Sequence, residues 1–181
     1  FRLINRIPVT DISPVIYFGG ELVPVKAIAG EEIPITAKVF REGHDQLGAD
    51  VVLFSDAGQE ISRVVMGEQW HGSDLYGATI RIPSQGDFSF AIESYDHPFA
   101  TWLHGAEIKI PADIDAELIC ATGAEIFEAK LRDDASVKSL LAPAIKVLSD
   151  KKLSPINRFS QVTTDAIRAL FTVNPLRQLI T

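Results

Sequence analysis

The stretch Ile33-Pro34-Ile35-Thr36-Ala37-Lys38-Val39-Phe40 puts Ile33, Ile35, Ala37 and Val39 on one face, which is the period of a half-buried strand. Pro34 removes a backbone donor and points to a strand edge or strand start. A charged turn, Arg41-Glu42-Gly43-His44-Asp45, follows. Beyond it Val51 and Leu53 fall on one side of a strand and Val52 and Phe54 on the other, so this strand is expected to be covered on both faces. Further strands are expected around Ile61 to Met66, Tyr76 to Ile82, Phe88 to Tyr95 and Thr101 to Ile110. Turn signals at Gly72-Ser73-Asp74 and Pro83-Ser84-Gln85-Gly86 separate them. From about residue 15 to residue 110 the reading is therefore all-β: an antiparallel β-sandwich, immunoglobulin-like in outline, filling residues 1–112.

Near Pro111 the period becomes that of a helix, and residues 113–181 read as a small helical bundle of three short helices. Asp113 is the expected cap of a helix carrying Ile114, Leu118, Ile119, Ile126 and Phe127, with Gly123 weakening its middle. After Asp134, the residues Val137, Leu140, Leu141, Ala144 and Leu148 form one apolar stripe, in which Pro143 is expected to bend or break the helix. Ser154 and Pro155 open a third helix, and Asn174-Pro175 closes the run that includes Ile167, Leu170 and Phe171.

A chain of 181 residues is long enough to bury roughly 70% of its unfolded surface, and too short for a (β/α)₈ barrel of about 250 residues. Hydrophobic residues at 46% and charged residues at 23% are those of a folding globular protein. The net charge of −7 repels phosphate backbones and anionic membranes, so neither nucleic acid nor a membrane is expected as a partner. The single cysteine, Cys120, excludes an internal disulfide and suits a reducing, cytoplasmic compartment. No apolar stretch approaches the roughly 18 residues of a membrane helix. The chain opens on Phe1 instead of methionine, which suggests excision from something longer.

Motifs that carry chemistry are sparse. There is no Gly-rich phosphate loop, no G-x-S-x-G elbow and no H-E-x-x-H helix, and no catalytic residue, metal ligand or cofactor site is assigned. Cys120 reads as a core thiol. His44 beside Asp45 and His71 near Asp74 lie in turns without further ligands, and His104 reads as a core or interface residue on a strand with Trp102. Glu42 and Asp45 read as solvated charges. Trp70, Tyr76, Tyr95 and Trp102 are the candidate glycan contacts, because aromatic rings projecting from a sandwich can stack on sugar faces.

Three runs carry a resemblance: RIPVTDISPVI (Arg6–Ile16), VFREGHDQLGADVVL (Val39–Leu53) and ATWLHGAEIKIPADIDAEL (Ala100–Leu118). They resemble the N-terminal region of bacterial α-1,4-glucan:maltose-1-phosphate maltosyltransferases, of the α-amylase superfamily. The resemblance implies a β-sandwich with an inserted helical bundle, both contributing to a homodimer. It also implies a parent enzyme that transfers maltosyl units from maltose 1-phosphate to α-1,4-glucans with retention. The nucleophile and general acid would lie in the catalytic barrel of the same polypeptide, so this region would be an inactive accessory and dimerisation part. Its alternative role is a carbohydrate-binding module for α-glucan. The family's chain returns to the sandwich after the helices, so a sheet edge here is expected to be unpaired.

Overall fold

A computed structural model describes residues 7–181. Eight strands precede five helices: β1 (Val9–Ser13), β2 (Ile16–Phe18), β3 (Glu21–Val23), β4 (Glu32–Val39), β5 (Leu47–Ser55), β6 (Glu60–Glu68), β7 (Leu75–Arg81), β8 (Phe88–Asp96), α1 (Pro98–Lys109), α2 (Ala116–Asp133), α3 (Lys138–Ser149), α4 (Pro155–Val162) and α5 (Asp165–Val173). A 3₁₀ turn at Ala135–Val137 leads into α3. The chain divides into two compact units. One comprises residues 7–43, 47–96 and 179–181, and the other comprises 44–46 and 97–178.

In the first unit the strand order is β1-β4-β7-β6-β5-β8, antiparallel throughout. β6 and β7 share only the pairs Gly67–Gly77 and Glu68–Tyr76, so the hairpin between them carries the chain from a β6-β5-β8 layer to a β1-β4-β7 layer. Alternate residues of the two layers meet: Ile35, Ala37 and Val39 of β4 and Ile80 of β7 pack with Ala49, Val51 and Leu53 of β5 and Met66 of β6. The strands read from periodicity at β4 through β8 are all present. Val51 and Val52 are both fully buried, as expected for a strand covered on both faces. Pro34 lies where β1, which pairs only from Thr36 to Val39, no longer flanks β4. At the other edge, Ser94 of β8 and Thr181 exchange both backbone hydrogen bonds, at 2.8 and 3.0 Å.

One expected strand is a helix. Residues 101–109 lie in α1 and Ile110 caps its end, so the change from strand to helix falls after Asp96, not near Pro111. Trp102, Ala106 and Ile110 are four residues apart, so they alternate on a strand but also share one face of a helix, and they are the buried ones. The start signal decides between the two: His97 accepts from the Ala100 N–H through Nδ1 at 3.2 Å, and Pro98 occupies the first turn, where its missing N–H costs nothing. His104 accordingly sits on the exposed side of α1, not in a core.

The other helix expectations need smaller corrections. α2 begins after Asp115, not at Asp113; both aspartates take left-handed φ values, 51° and 55°, in the turn that precedes it. α3 runs unbroken through Pro143. The carbonyl that Pro143 leaves without an N–H partner belongs to Ser139, an exposed residue, so water can take that bond. The third expected helix is two, because Thr164 caps α5 by accepting from the Ile167 N–H at 3.4 Å.

The helical unit closes around an aromatic centre. Phe99 of α1 stacks on Phe171 of α5 with centroids 4.0 Å apart, and Trp102 meets Phe127 and Phe159 edge-on at 5.7 and 5.9 Å. Cys120, Leu141, Ala144, Leu148, Val162 and Ile167 complete this core, so Cys120 is the buried thiol expected, and burial raises its pKa. Gly123 has a positive role in α2. A Cβ there would lie 2.5 Å from Cζ2 of Trp102, so the glycine gives the indole its seat.

Candidate interaction surface

The buried side chains of Asp50, Lys130 and Arg158 are bound to nearby polar or charged groups. In the β6-β5-β8 layer the fully buried Asp50 accepts from the Tyr95 hydroxyl at 2.9 Å and from Arg63 at 3.2 Å. Arg63 also donates to Glu93 and Glu60, and these two hydrogen bonds are the largest causes holding its pKa above the ordinary arginine value. One guanidinium thus ties three strands together, with its carboxylates acting as anchors. Arg41 pairs with Asp96 in the same unit. In the helical unit Arg158, almost wholly buried, donates to Glu117 and to the Leu148 carbonyl at 3.1 Å, joining α4 to α2 and α3. The Arg158 guanidinium holds the Glu117 carboxyl below the usual carboxylate range. Lys130, buried, meets Asp133 at 3.0 Å. Among the described residues no group of three or more His, Cys, Asp or Glu side chains is placed to hold a metal ion. No described helix is long and apolar enough to cross a membrane.

The four aromatic candidates do not form one platform. Trp102 lies in the helical core and donates its indole N–H to the Ile119 carbonyl at 2.8 Å. Tyr95 is fully buried, its ring filling the space left by Gly48, where a Cβ would lie 2.3 Å from the ring. Tyr76 is half-buried on β7, where burial, with Glu68 and Asp74 adding to it, pushes its phenol up to about 12. Trp70 alone is open, at 64% exposure on the loop between β6 and β7. That loop is braced: the Glu68 carboxylate accepts from the N–H groups of Ser73 and Asp74, and Gln69 N–H donates to the Leu75 carbonyl.

The helical unit carries a shallow groove of about 190 Å³ between α1 and α2, lined in part by Thr101, Trp102, Lys109, Leu118 and Thr122. Ile108, Ile114 and Leu118 leave apolar surface exposed on these two helices and the turn between them.

A further outward feature is one that the periodicity did not single out. Residues 10–32, Pro14 aside, are all exposed, yet they include Ile12, Val15, Ile16, Tyr17, Phe18, Leu22, Val23, Val25 and Ile28. Among the described residues β2 and β3 pair only with each other, through Ile16–Val23, Tyr17–Leu22 and Phe18–Glu21. Gly19 and Gly20, at φ 63° and 87°, make the two-residue turn that matches strand twist. Tyr17 is 71% exposed, Phe18 81%, Leu22 66% and Ile28 77%. Gly-Gly between two short apolar runs was the available signal for the hairpin. Nothing in its propensity tells that neither face is covered.

Together these features define a two-unit α+β protein region. The chain matches, over residues 5–181, the family model described as alpha-1,4-glucan:maltose-1-phosphate maltosyltransferase, domain N/S, and belongs to that family. It is 39% identical over 181 residues to maltosyltransferase 2 of Streptomyces coelicolor, covering 98% of this chain and 27% of the relative. Maltosyltransferase 1 of the same organism is 37% identical, with 99% and 26% covered, and the Arcanobacterium haemolyticum maltosyltransferase is 33% identical, also with 99% and 26% covered. The chain therefore spans about a quarter of the length of these relatives.

Proposed function

We propose that this region is the non-catalytic accessory and dimerisation part of a cytoplasmic enzyme that moves maltosyl units from maltose 1-phosphate to α-1,4-glucan. In this reading an immunoglobulin-like sandwich and an inserted helical bundle hold a catalytic barrel and a second subunit in position. The observation that carries it is a contrast: Asp50, Tyr95, Arg63 and Arg158 are spent on internal bonds, while large apolar side chains such as Tyr17, Phe18, Ile28, Ile108 and Leu118 are exposed. The exposed Ile108, Ile114 and Leu118 supply a face of the kind a subunit contact uses. The test is twofold. The 181-residue chain is expected to show no transfer from maltose 1-phosphate, and turnover by it would overturn the reading. Sedimentation is expected to show a dimer that Leu118→Glu drives to monomer; an unaffected dimer would move the contact elsewhere.

A second reading, a glucan contact at Trp70, is favoured by the braced loop that presents this one open indole. Maltoheptaose is then expected to change the fluorescence of the native chain and leave Trp70→Ala unchanged. No heat on calorimetric titration with maltoheptaose would remove this reading.

A further inference from the structure

Resting on the maltosyltransferase reading, we propose that residues 10–32 are a docking arm, seated in the full-length enzyme against the part of the same polypeptide that lies outside the matched quarter. Exposed at 71% and 81%, Tyr17 and Phe18 offer on the order of 300 Å² between them. With Ile16, Leu22, Val25 and Ile28 the apolar surface comes to roughly the 800 Å² that one side of a stable interface buries. A monomer's largest exposed apolar patch is usually about 300–600 Å².

The form of the arm selects its occupant. The pairing register puts Tyr17 and Leu22 on one face of the hairpin and Ile16, Phe18 and Val23 on the other, and all of them are exposed. A two-fold contact between identical hairpins covers one face of each and leaves the other in water. Two three-residue strands also have little stability of their own, so such an element needs packing from a larger body. The relatives supply the larger body: this chain accounts for 27% of the Streptomyces coelicolor maltosyltransferase 2, so most of that polypeptide lies elsewhere. A covalently joined body also has a high effective concentration at the arm, without the cost of bringing two molecules together.

The test compares the 181-residue chain with a full-length polypeptide in which it forms the N-terminal quarter. Hydrogen exchange of residues 10–32 is expected to be at least about tenfold slower in the full-length protein, at low and high concentration alike. Equal exchange in the two proteins overturns the proposal. Slowing that appears in the short chain only as its concentration rises also overturns it, and assigns the arm to a second copy. The pair Tyr17→Ser with Phe18→Ser gives an independent measurement. It is expected to leave the thermal midpoint of the 181-residue chain unchanged and to lower that of the full-length protein, whereas equal shifts in both refute the arm. Maltosyl transfer by the native full-length protein reports on the family reading separately. An active enzyme with a freely exchanging arm sinks this inference alone, and an inactive one with a protected arm sinks the activity alone.

Discussion

Gly123→Ala should destabilise the helical unit, against the usual expectation for a glycine inside a helix. Replacing Gly by Ala in a helix interior ordinarily gains about 1 kcal/mol. In α2 the new Cβ would stand 2.5, 2.6 and 2.9 Å from Cζ2, Cε2 and Nε1 of Trp102. The ring cannot swing aside freely, because Phe99, Phe127 and Phe159 surround it. Overpacking of this kind costs about 1–3 kcal/mol. Displacing the indole also stretches the bond from Nε1 to the Ile119 carbonyl, for roughly 1 kcal/mol more. After the propensity gain is set against these costs, the net loss is about 2 kcal/mol. Gly105→Ala is the control, since that glycine lies in α1 and its added methyl meets nothing within 4 Å; it should raise stability by about 1 kcal/mol. Urea denaturation followed by circular dichroism measures both. A Gly123→Ala protein stabilised as much as the Gly105→Ala protein would refute the argument that the glycine exists to seat the indole.

Tyr95→Phe removes the hydroxyl that donates to buried Asp50 and should cost about 1.5–3 kcal/mol in the same assay; a change below about 0.5 kcal/mol would show that the bond contributes little. The Glu117 carboxyl titrates lower in the folded state than in the unfolded chain, so its contribution is present above about pH 4.3 and is lost as pH falls through the folded value. The unfolding midpoint should therefore drop less steeply on acidification in Glu117→Gln than in the native chain, and parallel curves would contradict the pairing with Arg158. Acrylamide should quench the emission of Trp70, 64% exposed, and spare Trp102, 6% exposed. Trp70→Ala should then abolish most quenching and leave stability within about 0.5 kcal/mol; strong quenching that persists would mean that Trp102 is open.

β4 was legible because one face meets a layer and the other does not, so burial itself writes the alternation, and β5, buried on both faces, because it is a continuous apolar run between turn signals. Residues 101–110 were misread because a buried set at Trp102, Ala106 and Ile110 satisfies both periods. The pair His97-Pro98, which starts a helix, lies between the two apolar runs and belongs to neither. Propensity makes Gly123 a weakness because it refers to the helix alone, whereas the reason for the glycine lies on α1. The aromatic candidates illustrate the same limit. Residue type gave four rings, and only tertiary packing separates the open Trp70 from Tyr95, Trp102 and the half-buried Tyr76. The arm was unread for the converse reason. A run of exposed apolar residues has the composition of a core strand, and what distinguishes it is the missing second layer.

The bond pair between Ser94 and Thr181 joins points separated by a detour through all five helices. For a flexible loop of roughly 90 residues the length-dependent entropy of closure is about 4 kcal/mol. A folded excursion carries little of that disorder, whereas a melted one restores it and pulls on the same two bonds. Damage confined to the helices should therefore loosen the edge of β8 by way of the tether alone, with the covalent thread transmitting the effect.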